Sequence, residues 1–161
     1  MDVDVWSDVT CPWCAAGKRA LDEALLGFEH ADEVELIWHA FELDPSSRRT
    51  FDAHRVVKHA AAEGRGTAMM ERLMRAHAEA EPVDDREALV RMAGEVGLAP
   101  GPVRITLAGG RYAAQVREDE RLAGKLGITA VPYFVLARRF GVKGAQPAEA
   151  MLEALQHAYA A

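Results

Sequence analysis

The sequence predicts an α/β fold in which a strand-helix-strand half and a strand-strand-helix half flank an all-helical block. Three observations carry that prediction. Alternation at residues 3–6 gives way to a helical pattern and then to a strand-like run at 34–41. From residue 50 to residue 127 every apolar pattern has helical spacing, broken only by capping and breaker signals. Two short strand candidates at 133–137 and 140–142 then precede a final helix at 147–159. With 161 residues, half of them hydrophobic, the chain suits one core with an insertion.

Val3-Asp4-Val5-Trp6 alternates as a half-buried strand does, and Thr10 is a candidate N-cap for the helix that follows. Pro12 suits the first helical position, because its φ is preset and its missing N–H would have had no helical partner. Leu21, Ala24, Leu25 and Phe28 form one apolar stripe on that helix, which runs to about residue 27. The run at 34–41 reads as a buried strand and closes a βαβ unit with the right-handed crossover such units take; Pro45 ends it. Thr50 precedes a helix that Gly64 ends, and Thr67 is placed to cap another reaching about residue 80. Asp84 with Glu87 resembles a capping box for a helix to Val96, after which Gly97 and Pro100-Gly101-Pro102 break the chain. A short helix at 103–108 and a longer one at 112–126, with Gly127 as C-cap, complete the block. A tight turn at Arg138-Arg139 joins the last two strands, and its type stays open because Ala137-Arg138-Arg139 holds no Gly or Asn. The expected division is 1–47 with 128–161 as one domain and 48–127 as the helical insertion.

Cys11-Pro12-Trp13-Cys14 contains the only two cysteines, at the junction of first strand and first helix. There Cys11 lies beside unpaired N–H groups at the positive end of the helix dipole, which favours its thiolate, the species that attacks disulfides. Cys14 is one turn on and on the same face, placed to resolve a mixed disulfide by closing a bond to Cys11. Two other readings compete. A zinc site needs four ligands, and the nearest additions, His54 and His59, follow Cys14 by about forty residues where zinc fingers use roughly 12–15. A structural disulfide across two intervening residues would constrain little of the unfolded chain.

A formal charge of −6 with scattered basic residues argues against a nucleic-acid partner. No run approaches the roughly 18 apolar residues of a membrane span, and Asp2, Asp4 and Asp8 precede the first basic residue, Lys18, the reverse of a secretory signal. The expectation is therefore a cytoplasmic protein, where a lone cysteine pair is more often catalytic than structural.

The motif and several later runs together resemble the DsbA-like thioredoxin-fold oxidoreductases, and within them the FrnE branch. The runs are Trp6-Ser7-Asp8-Val9-Thr10 leading into the motif, Phe41-Glu42-Leu43-Asp44-Pro45, Thr50-Phe51-Asp52-Ala53-His54-Arg55, Thr129-Ala130-Val131-Pro132-Tyr133-Phe134 and Gly144-Ala145-Gln146-Pro147. The resemblance implies a thioredoxin-like fold with an inserted all-helical subdomain and a protein disulfide oxidoreductase activity. It also implies that Pro132 is cis and faces the cysteines, offering the backbone of Val131 to an extended client, with Pro12 and Trp13 completing the client site. Only Ser46-Ser47-Arg48-Arg49 separates the second and third runs, where family members usually carry more helical sequence. Kappa-class glutathione-dependent isomerases or transferases share the helical insertion but carry Ser where this chain has Cys11. A third reading is a peptide-binding or holdase module that uses the methionines Met69, Met70, Met74 and Met92.

No metal or organic cofactor is implied; the expected partners are disulfide-bearing clients or small thiols, with glutathione as a candidate co-substrate, and the oligomeric state stays open. His39 is a candidate proton shuttle or a hydrogen-bonded core residue. Asp8 is a loop cap or a water-linked proton acceptor, and with Asp4 it would oppose the thiolate if close to it. Arg48-Arg49 and Arg138-Arg139 are candidates for a glutathione carboxylate or ordinary solvated charge.

Overall fold

Alternation places Val3 and Val5 on one face of the first strand, β1 (Asp2–Ser7), and Asp4 and Trp6 on the other, and both faces are covered. The computed structural model describes residues 1–161. β1 pairs in parallel with β2 (Glu35–Ala40), Val5 opposite Trp38, and antiparallel with β3 (Tyr133–Leu136), Val5 opposite Phe134. With β4 (Phe140–Lys143) on β3 the sheet order is β2-β1-β3-β4. Helix α1 (Pro12–Leu26) connects β1 to β2, with a turn of 3₁₀ helix at Ala31–Glu33 before the strand. The remaining helices are α2 (Phe51–Ala62), α3 (Gly66–Ala78), α4 (Arg86–Glu95), α5 (Pro100–Ala108), α6 (Ala113–Leu126) and α7 (Ala148–Ala160). No helix is long and apolar enough to cross a membrane.

The sheet is the middle of three layers. α1 reaches the Val5–Phe134 face at Gly17 and also packs on α7. On the opposite face Trp6 donates to the Asp119 carbonyl on α6 at 3.2 Å and stacks on His39 at 4.1 Å. The Asp119 carboxylate locks the helical insertion to β2, accepting from the Ala40 N–H at 2.7 Å and from Lys58 of α2 at 2.6 Å, and meeting His39 Nδ1 at 2.9 Å. Burial alone would raise this carboxyl; His39, Lys58 and the Ala40 N–H outweigh it and hold it below the usual carboxylate range. Arg55, also buried, closes the carboxyl end of α5 by donating to the carbonyl of Thr106, an acceptor the helix itself leaves free, and to those of Gly109 and Arg111 just beyond it.

Several local expectations shift. Cys11, not Thr10, is the N-cap of α1. Thr67 lies inside α3, whose cap position is Arg65, because its hydroxyl accepts from Trp38 Nε1 at 2.9 Å. Asp85, not Asp84, caps α4, accepting from the Ala88 N–H at 2.8 Å. Pro100-Gly101-Pro102 does not break the chain but opens α5, since the first turn of a helix needs no N–H partners. The hairpin turns one residue early: Ala137 and Arg138 take φ of 50° and 57°, and the Arg139 N–H bonds the Leu136 carbonyl at 3.0 Å. That is the mirror-image turn a two-residue hairpin prefers, made here without Gly or Asn.

Candidate active site

β1 delivers the chain through an eight-to-ten loop to Cys11, whose extended backbone (φ −97°, ψ 111°) turns its sulfur back over the first turn of α1. Cys11 Sγ accepts from the Cys14 N–H at 3.2 Å, and so fills the capping role an oxygen side chain usually takes. The two cysteines are unbonded and buried, whereas Trp13 between them is 70% exposed. Hydrogen bonding from the Cys14 thiol, reinforced by the N–H groups of Cys14 and Trp13, outweighs burial and the Asp8 charge and lowers the Cys11 thiol to about 7. The same bond acts oppositely on Cys14: donation to Cys11, together with burial, pushes its thiol far up. Ser7 Oγ, buried and otherwise without a partner, lies beside Cys14 and favours its ionised form.

Val131 and Pro132 stand across from the motif. The Val131 carbonyl is 3.9 Å from Cys11 Sγ, and the Val131–Pro132 peptide is cis. Pro132 can approach because α1 carries Gly17 there; a Cβ at that position would stand 2.9 Å from Pro132 Cγ and 3.2 Å from Phe134 Cζ. The sequence offers no local sign of this, since Gly17 sits inside an ordinary helical pattern.

Asp8 is neither solvated nor a simple cap. It is buried, with Oδ1 accepting from the Val9 N–H at 2.8 Å and meeting His54 Nε2 at 3.1 Å, and Oδ2 accepting from the Leu43 N–H at 2.9 Å. Burial raises this carboxyl, but His54, the Leu43 N–H and Thr50 more than compensate and hold it low. Asp8 thereby ties the motif loop to the chain after β2, where Leu43 is exposed beside a cavity of about 300 Å³ that also includes Thr10, Ser47 and Arg49.

The other candidates lie elsewhere. His39 has both nitrogens engaged, Nε2 with Asp4 at 2.7 Å and Nδ1 with Asp119, so it is a core residue. Met69, Met70, Met74 and Met92 are buried in the main core and form no client surface. His59 Nδ1 meets the Thr106 hydroxyl at 2.8 Å. Arg138 pairs with Asp2 at 2.8 Å, Arg139 lies over Phe140, Arg49 faces Asp84 at 3.6 Å and Arg48 lies over Phe51.

Residues 2–156 match the family model described as DSBA-like thioredoxin domain. The chain superposes on a probable DsbA oxidoreductase from Streptomyces coelicolor with a TM-score of 0.92 at 35% identity, covering 99% of this chain and 90% of the other. It shares its fold with the cytosolic disulfide reductase DsbM of Pseudomonas aeruginosa, solved with GSH, at a TM-score of 0.76 and 21% identity over the whole of both chains. A Na(+)/H(+) antiporter NhaA 1 of Mycobacterium sp. (strain KMS) is 27% identical over 152 residues, 94% of this chain. The chain spans 24% of the length of that curated relative.

Proposed function

The chain belongs to the DSBA-like thioredoxin domain family, and from that premise we propose that it is a thiol–disulfide oxidoreductase with Cys11 as nucleophile and Cys14 as resolving thiol. The observation that carries the assignment is the opposed setting of the two sulfurs, Cys11 lowered to about 7 and Cys14 held protonated beneath it. So lowered, Cys11 offers more thiolate near neutral pH than an ordinary thiol, and the thiolate is the form that attacks. It displaces one sulfur of a client disulfide as a thiolate and forms a mixed disulfide.

That first bond changes Cys14. Its proton was retained by donation to the Cys11 sulfur, and a sulfur bonded to client no longer carries the charge that held it. Burial remains, opposed by Ser7, so Cys14 ionises more readily once Cys11 is occupied. Its thiolate then attacks Cys11 Sγ, closes the intramolecular disulfide and releases the second client sulfur, two electrons having passed to the client. Run backwards, the same steps form a disulfide; an exchange that ends on the client isomerises one.

Clients are disulfide-bearing proteins or small thiols, glutathione among them as co-substrate. The backbone at Val131-Pro132 and the exposed face of Trp13 with Pro12 form the docking surface, an edge that pairs with extended chain of any sequence. We place the activity in the cytoplasm, where a reducing pool keeps the pair cycling, and within the FrnE branch on the runs around Trp6, Phe41, Thr50 and Gly144. Burial of the methionines removes the surface on which a holdase would rely.

Reduction of insulin tests the assignment. Cys11→Ser should abolish it, and Cys14→Ser should leave mixed disulfides that survive denaturation. Equal alkylation of the two thiols at neutral pH would overturn the roles.

A further inference from the structure

A cavity of about 620 Å³ opens between α2, the start of α4 and the α5–α6 junction, and none of the redox residues lines it. Four arginines do, Arg48, Arg55, Arg86 and Arg117, against a single carboxylate, Asp52. In a chain of net charge −6 that is a local reversal of sign. Arg55 is spent on Asp52 and on carbonyls, and Arg86 gives only Nε to Asp52, at 3.1 Å. Arg117 uses Nη1 on Glu42 and Glu120 and leaves Nη2 without a partner. Arg48 meets no carboxylate at all.

Three of these cations lie over one ring, Phe51, with Arg55 the farthest at 5.9 Å. Arg48 and Arg117 stand 4.7 and 4.3 Å from the centroid of Phe51, so one aromatic ring gathers both guanidinium groups at the cavity wall, Arg117 paired with Glu42 and Glu120 and Arg48 with no carboxylate. Arg48 reaches that place from a backbone at φ 53°, a conformation unfavourable for a residue with a Cβ. The cavity wall is completed by Gly109-Gly110 and the first turn of α6. This fourteen-residue helix has no side-chain cap and no acid in its first turn, and the Ala114 N–H has no acceptor. Nothing lies within 4 Å of where a Cβ on Gly110 would stand, so the backbone there is open to the cavity.

We propose that this cavity binds a phosphorylated small molecule, its phosphoryl group held by Arg48, Arg86 and Arg117 at the N-terminus of α6. A carboxylate is planar and satisfies one guanidinium well, whereas a phosphoryl group is tetrahedral, carries up to two charges and accepts from several guanidinium groups and an N–H at once. The volume falls in the range of small-molecule sites and exceeds what a phosphate fills, which leaves room for the organic part. The proposal is independent of the redox assignment.

Calorimetric titration at fixed ionic strength, with inorganic phosphate and with ribose 5-phosphate as probes, tests it. Both should bind saturably, ribose 5-phosphate more tightly. Arg48→Gln and Arg86→Gln, both at exposed positions, should each weaken binding by about tenfold. Arg121→Gln and Arg138→Gln, whose side chains pair elsewhere on the surface, should leave it unchanged. Absence of saturable binding, a double Arg48→Gln, Arg86→Gln variant that binds like the parent, or equal weakening by the control pair would each overturn the site. Equal affinity for the two probes would overturn the organic ligand.

Discussion

Gly17→Ala separates the chemistry of the cysteines from the placement of the client. The added Cβ would stand 2.9 Å from Pro132 Cγ and 3.2 Å from Phe134 Cζ, where carbon atoms settle at about 3.5–4.0 Å. Phe134 is buried and fixed by its pairing with Val5, and the proline ring is stiff, so the displacement falls on the loop carrying Val131. Overpacking of this kind costs about 1–3 kcal/mol, offset by the ~0.5–1 kcal/mol that Ala gains over Gly inside a helix. The net loss of up to about 2.5 kcal/mol should lower Tm by up to about 10 °C in a chain of this size. Alkylation of Cys11 should proceed at the parental rate, because its thiolate is held by Cys14 and Trp13 within α1. Insulin turnover should fall as the Val131 carbonyl moves away from Cys11. A variant that melts above the parent and turns over normally would refute the reasoning.

Three further outcomes follow from the electrostatics. Alkylation of Cys11 should reach half its limiting rate near pH 7, and Cys14→Ala should move that midpoint upward, because the Cys14 thiol is the largest cause of the lowering; an unmoved midpoint would contradict it. The lowered Cys11 should make the reduced protein gain stability, relative to Cys11→Ser, as pH rises from about 7 to about 9, above which the raised Cys14 thiol opposes the gain, measured by denaturant unfolding; a difference that shrinks as pH rises from 7 to 9 would have the wrong sign. Asp119→Ala leaves the Ala40 N–H unpaired and takes from Lys58 its only carboxylate, although Lys58 still donates to the Trp38 carbonyl, and should cost about 3–5 kcal/mol. Because the Asp119 carboxyl is held low, that cost should be full above about pH 4 and fade as pH falls further; a loss under about 1 kcal/mol at pH 7 would show that the contact does not tie the insertion to the sheet.

The parts of the fold legible in sequence are those governed by near neighbours. Alternation marked β1, helical spacing marked α1, and the position of the cysteine pair at their junction was legible, although the cap of α1 is Cys11 rather than Thr10. Caps proved harder wherever a distant group intervened. Thr67 has the side chain of a cap, yet Trp38 claims its hydroxyl from another element. Asp84 has the capping-box spacing to Glu87, yet it is Asp85 that accepts from the Ala88 N–H. Asp119, Arg55 and Gly17 were invisible for the same reason: each works on atoms brought near by the fold, on β2, on the end of α5 and on the Pro132 loop. His39 was legible as a core residue, but its two carboxylate partners come from β1 and α6.

The strand order also governs assembly during synthesis. β1 is made long before β3, yet it lies between β2 and β3, so one of its edges stays open while the whole helical block is translated. Helices form from local contacts and need not wait, whereas the sheet must wait for a partner from the far end of the chain. An unpaired strand edge invites association with other nascent chains, and charges along it are a common deterrent. β1 carries two, Asp2 and Asp4. The late hairpin brings a counter-charge in Arg138 at its turn, which pairs with Asp2 when β3 docks, so the repulsion that guards the open edge becomes an attraction for the correct strand.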